Sequence, residues 1–167
     1  MKPLDRILEA AKAAPRHIVL AEGEDPRIVE GGLRAVRAGI AEITLVGGRD
    51  LVEERLAAAG ARSGEIRIED PASSPLTPRL AAAYHDLRRN KGVDEVAAAA
   101  AGRSPLVFAA RVGREDAAGG TVGGAGATTA DTVRAALQTI GRAPDVGLGA
   151  RFFLVMVCAP HRAKEGG

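Results

Sequence analysis

Five glycines in eight residues, Gly119, Gly120, Gly123, Gly124 and Gly126, run directly into Thr128-Thr129-Ala130-Asp131. Glycine lets backbone N–H groups come close to a ligand, and a helix start carries partial positive charge, so this segment has the chemistry of an anion site. It is not a P-loop, because no Gly-Lys-Ser/Thr follows, and no clean Gly-x-Gly-x-x-Gly is present. A close helix–strand crossing asks for the same small residues, and the Asp131 carboxylate already uses that end of the helix. On pattern alone both readings stand.

Arginine supplies the other candidates. Arg88 follows Tyr84 by four residues, which sets it on the rim of an apolar helix face, whereas Arg89 points away. A rim guanidinium can grip phosphate or carboxylate with two parallel hydrogen bonds. Cations beside Gly92 also suit a helix C-terminus, and the pattern alone favours that plainer role. Arg134 has Asp131 three residues before it, so a local ion pair accounts for it. Glu22, Glu24 and Asp25 form an acidic turn after a strand, where open sheets bind ligands, although solvated turn and cap chemistry fits equally. His17, His85, His161 and Cys158 lack metal-type spacing, and no nucleophile elbow appears.

These residues need elements to hold them. Leu4, Ile7, Leu8 and Ala11 recur at helical spacing over 4–14. His17 to Ala21 reads as a buried strand, and Asp25-Pro26 opens a helix that ends at Gly39. Glu42 to Val46 is a strand, Asp50 to Ala59 a helix, and Glu65 to Glu69 a third strand. Helices follow over 79–90, 94–101 and 105–114. Thr128 caps a further helix, with Val133, Ala136, Leu137 and Ile140 expected on its buried face. Phe152 to Val157 is the most apolar run in the chain and reads as a buried strand. Strands alternating with helices predict an α/β protein, three layers in α/β/α order around a mostly parallel sheet. A last strand with no crossover helix after it predicts cover from a partner or from further chain.

Composition narrows the function classes. A chain of 167 residues, 46% hydrophobic and 26% charged, is one soluble globular domain by size and composition. Its 23 basic and 21 acidic residues are interspersed, and 2% aromatic content is too little for a base-stacking platform, so nucleic acid is not expected as a partner. No apolar run reaches the roughly 18–20 residues of a membrane span, and Asp5, Arg6 and Glu9 interrupt any signal-peptide core. With one cysteine and no disulfide framework, a cytoplasmic location is expected.

Several collinear motifs carry a resemblance. They are Met1 to Ile7, Ile18-Val19-Leu20-Ala21-Glu22-Gly23-Glu24-Asp25-Pro26-Arg27, Gly39-Ile40-Ala41 before Leu45-Val46-Gly47, and Asp70-Pro71. Tyr84-His85-Asp86-Leu87-Arg88-Arg89-Asn90-Lys91-Gly92, Pro105 to Ala109, Thr128 to Gln138 and Phe152-Phe153-Leu154 continue it. In these the chain resembles the N-terminal half of the phosphate acetyl/butyryl transferase family. The resemblance implies an isocitrate/isopropylmalate dehydrogenase-like fold in truncated form. Residues 1–148 would be a first α/β domain, 149–158 the opening strand of a second, and 159–167 a polar tail. It implies transfer of an acetyl group between acetyl phosphate and coenzyme A, with Arg88 and Arg134 in catalysis and Thr128 and Thr129 beside them in substrate binding. No metal or bound cofactor is implied, since acetyl-CoA and coenzyme A are substrates, and full-length members would be homo-oligomers. Asn90 and Ala127 stand where the family commonly has histidine. The serine, arginine and aspartate that activate the thiol would lie in the other half. A butyryl-specific enzyme, the related domain of a malic enzyme, and a non-catalytic remnant or interaction module needing a partner chain are the alternatives.

Overall fold

The structure is a computed structural model and describes residues 3–115 and 118–141. Four parallel strands form one sheet in the order β3-β2-β1-β4. They are β1 (Arg16–Leu20), β2 (Ala41–Val46), β3 (Arg67–Glu69) and β4 (Gly120–Val122). The helices are α1 (Pro3–Ala13), α2 (Pro26–Arg37), α3 (Arg49–Ala58), α4 (Thr77–Arg88), α5 (Glu95–Gly102), α6 (Pro105–Glu115) and α7 (Thr129–Thr139). A 3-10 turn, Arg89–Lys91, follows α4 and closes on Gly92 at φ +80°.

The two-residue period of the central strands builds both cores. Ile18 and Leu20 of β1, with Ile43 and Leu45 of β2, face Val29, Leu33, Val52 and Leu56 of α2 and α3. The alternate residues Val19, Ala21 and Val46 face Leu80, Phe108, Ala109 and Val112 of α4 and α6. Both faces of the sheet are therefore covered, as a parallel sheet requires. A third cluster, Tyr84, Ala98, Val107 and Ala135, locks α4, α5, α6 and α7 together. His17 is structural: its ring nitrogen Nε2 lies 2.9 Å from the hydroxyl of Thr44, a buried polar residue on the neighbouring strand.

Two expectations need correction. The segment 119–126 contains a strand, β4, which glycine at 119 and 120 conceals. Its pairing is supplied by β1, with Ile18 opposite Gly120 and Leu20 opposite Val122. A β-carbon at Gly119 would lie 2.6 Å from the Arg16 side chain, so the neighbouring strand demands the small residue. The second concerns α7. Its buried residues are Ala135 and Thr139, whereas Val133, Leu137 and Ile140 are 44%, 52% and 46% exposed. The face against α6 admits only small side chains, so the large aliphatic stripe points outward. The expected strand Phe152–Val157, the boundary near 148 and the tail at 159–167 lie outside the described residues, as do Cys158 and His161.

Candidate functional site

The strands end at one edge of the sheet, and the turns leaving that edge carry the acidic residues. Each acid has a backbone partner. Asp25 accepts from the Arg27 N–H at 2.9 Å and so caps α2. Glu24 accepts from Gly48 N–H at 2.8 Å, immediately before α3. Asp70 accepts from Arg49 N–H at 3.2 Å and Ala72 N–H at 2.8 Å. The acidic turn is cap chemistry, which satisfies helix-start amides that would otherwise lack partners.

Glu22 does more. Its Oε2 accepts from Gly124 N–H at 2.6 Å and Ala125 N–H at 2.7 Å, and its Oε1 accepts from Gly126 and Ala127 N–H, both at 2.7 Å. The glycine-rich segment therefore does have anion-binding geometry, but its anion is a side chain of the same protein. Partial burial pushes the Glu22 carboxyl up, yet the four amides together outweigh it and hold the group below the ordinary glutamate range. Gly124 has φ +100°, so the loop needs glycine there, and at Gly123 a β-carbon would lie 2.9 Å from Leu106 Cδ2, the movable end of a half-buried side chain. This partnership could not be read along the chain, because it depends on β4 lying beside β1. An acid ending one strand, next to a run of glycine amides ending its neighbour, is the signal that would have found it.

Beyond the loop, Thr128 caps α7. Its hydroxyl accepts from Asp131 N–H at 3.1 Å and donates to Asp131 Oδ2 at 2.6 Å. The Thr128 hydroxyl, and then the Arg134 guanidinium at 2.6 Å, hold the Asp131 carboxyl below its usual range. Thr129 is exposed in the first turn of α7. Arg134 is exposed too, one residue beyond Val133, and its ion pair with Asp131 is the local one its spacing predicts.

Arg88 contrasts with it. The side chain is half-buried at the end of α4, while Arg89 is exposed. Its Nε is buried with no hydrogen-bond partner, and among the described residues the side chain makes no ion pair. One turn before it, Tyr84 donates its hydroxyl proton to Gln138 Oε1 at 3.1 Å and ties α4 to α7. One turn before Gln138 stands Arg134. A cleft of about 360 Å³ opens along α6 and α7, lined by Ser104, Leu106, Val107, Ala127, Asp131, Arg134, Ala135 and Gln138. Small-molecule sites are of this order, roughly 300–1,000 Å³. Gln138 thus joins the cleft that holds Arg134 to the helix that holds Arg88. Among the described residues no group of three or more His, Cys, Asp or Glu side chains is arranged to hold a metal ion, and no helix is long and apolar enough to cross a membrane.

The model of the phosphate acetyl/butaryl transferase family matches residues 3–164. The chain belongs to that family. A phosphate acetyltransferase of Paracoccus denitrificans is 48% identical over 167 residues, which are 100% of this chain and 49% of the relative. One from Clostridium acetobutylicum is 31% identical over 99% of this chain and 50% of its own length. The chain therefore spans about half the length of these curated relatives. Among solved structures, the EutD phosphotransacetylase from Staphylococcus aureus superposes with TM-score 0.79 at 26% identity, covering 89% of this chain and 46% of that one. A phosphotransacetylase from Streptococcus pyogenes gives TM-score 0.80, also at 26% identity and the same coverage. The α/β sheet described above is thus the fold of this transferase family, seen over part of its members' length.

Proposed function

We propose that this chain forms the anion-holding side of a phosphate acetyltransferase site, acting on acetyl phosphate and coenzyme A. The observation that carries the reading is Arg88, half-buried and without an ion pair among the described residues, at the end of the helix that Tyr84 ties to α7. The chain's own carboxylates already cap the backbone amides at the starts of α2 and α3 and in the β4–α7 loop. A phosphorylated substrate is therefore left to side-chain donors, and guanidinium groups are the strongest of these. Arg88 and Arg134 would hold phosphate oxygens, with the hydroxyls of Thr128 and Thr129 at the start of α7. In the reaction the coenzyme A sulfur bonds to the acetyl carbon, the carbon–oxygen bond to phosphate breaks, and inorganic phosphate leaves. Cationic donors fixed around the acyl phosphate stabilise the charge that develops in that step. The base that takes the thiol proton belongs to the half that the relatives carry beyond the matched region. The location proposed is the cytoplasm, and the assembly a homo-oligomer of full-length members.

The test is titration of coenzyme A into the 167-residue chain, beside an assay for acetyl-CoA formed from acetyl phosphate. Binding without appreciable turnover is expected, with affinity about tenfold or more weaker in Arg88→Ala and Arg134→Ala. Affinity unchanged in both variants, or rapid turnover by this chain alone, contradicts the proposal.

A further inference from the structure

The loop between β4 and α7 is an anion receptor whose occupant is covalently part of the protein. Glu22 lies 102 to 105 residues away from the four amides it receives, so the contact is tertiary rather than a local turn. Each carboxylate oxygen bridges two N–H donors, which leaves neither oxygen short of a partner. The backbone delivers the group: Ala21 N–H donates to Val122 O at 2.9 Å, carrying the β1–β4 ladder to the residue before Glu22. Arg27 closes the other side of the loop by donating from Nη2 to Ala125 O at 2.8 Å. The last amide of the set belongs to Ala127, and Thr128, Thr129 and Arg134 follow it in order on α7.

We propose that Glu22 is a positioning residue: its carboxylate is the built-in counter-anion that sets the β4–α7 loop and so aims Thr128, Thr129 and Arg134 at the phosphorylated substrate. The substrate part of this statement rests on the acyl-transfer reading above. The chemistry is specific to a carboxylate. Glutamine has the same shape, but its NH2 group would face two N–H donors instead of accepting from them. Aspartate is one methylene too short to reach all four amides from the same backbone. An alanine at position 22 would leave four converging amides and room for a small free carboxylate.

The experiment is amide hydrogen exchange by NMR on the full chain as wild type, Glu22→Ala and Glu22→Gln, each with and without formate, beside coenzyme A affinity. In Glu22→Ala, exchange at Gly124, Ala125, Gly126 and Ala127 should rise about tenfold or more, while protection in β1 and β2 stays unchanged. Coenzyme A affinity should fall by about tenfold, as for loss of a charge-assisted contact. Formate should reverse both changes in Glu22→Ala and neither in Glu22→Gln. Unchanged exchange at the four amides, a loss of protection spread evenly through the sheet, or failure of formate to restore the alanine variant overturns the proposal. If the alanine variant does not fold, the glutamine variant, which keeps the volume, decides by the exchange comparison. A wild-type chain that binds no coenzyme A overturns the acyl-transfer reading instead, and the exchange arms still judge Glu22.

Discussion

α2 and α7 each follow a strand of the same sheet, yet they turn their aliphatic residues in opposite directions. α2 sends Val29 and Leu33 into the core with Ile43 and Leu45. α7 buries Ala135 and Thr139 and leaves Val133, Leu137 and Ile140 outside. Arg134 of α7 is paired with Asp131, as Arg37 of α2 is with Glu65, and the difference in cations lies one helix away, on α4. On the α2 side Arg37 makes two hydrogen bonds to Glu65, at 2.9 and 3.0 Å, and a third to Gly60 O. On the α4–α7 side Arg88 has no acidic partner among the described residues. The α2–α3 side leaves the Nε of Arg55 without a hydrogen bond but pairs that guanidinium with Glu54, whereas at the end of α4 Arg88 presents donors that a ligand can use. The site proposed at α4 and α7 agrees with that difference.

The sharpest way to break the contrast is a pair of truncations read by urea unfolding. Leu33→Ala should cost about 2–5 kcal/mol, the usual loss for a buried leucine. Leu137→Ala should stay within about 0.5 kcal/mol, as exposed substitutions do. Equal losses would mean that both helices pack alike. Next in size is Gly119→Ala. Its added methyl would lie 2.6 Å from Arg16 Cβ and should cost about 1–3 kcal/mol, with retained stability contradicting the close approach of this segment to β1. Thr128→Ala removes the α7 cap and should cost about 1 kcal/mol in the same assay, with Thr128→Ser close to wild type.

The smallest effect is the pH response of two pairs in which an exposed arginine covers a largely buried carboxylate. The Arg37 hydrogen bonds hold Glu65 down to about 2 from 4.5, and those of Arg27 hold Asp25 down to about 2 from 3.8. Folded carboxyls more acidic than unfolded ones stabilise the fold above the unfolded values, and that contribution fades as pH falls toward 2. Thermal midpoints measured across this window should drop less steeply in Arg37→Ala than in wild type. Identical slopes would show that the pair carries no acid sensitivity, which is the limit solvent screening approaches.

Much of the fold was legible because local chemistry and tertiary placement agree. Asp25-Pro26 starts α2 where a cap and a first-turn proline belong. The short apolar runs Ile18 to Ala21 and Ile43 to Val46 mark strands that are covered on both faces. Legibility failed where a neighbour decides the outcome. β4 exists because β1 pairs with it, although its own glycines argue against a strand. The outward face of α7 follows from how near α6 comes, which spacing alone cannot show. Arg88 on the rim, one turn past Tyr84, was readable from helical periodicity. The occupant of the glycine loop was not, since Glu22 and Gly124 meet only once the strand order is known.

One division of labour is central: carboxylates of the chain take the backbone amides of the turns, and the guanidinium of Arg88, which has no acidic partner among the described residues, is left for the ligand, with Arg134 of α7 exchanging Asp131 for phosphate. Phosphorus NMR titration of acetyl phosphate against the wild-type chain and an Arg88→Ala/Arg134→Ala variant tests it most directly. The prediction is saturable binding by the wild type and at least about tenfold weaker binding by the double variant, at an unchanged thermal midpoint. Equal affinity in the two proteins would place the phosphate elsewhere and contradict the account.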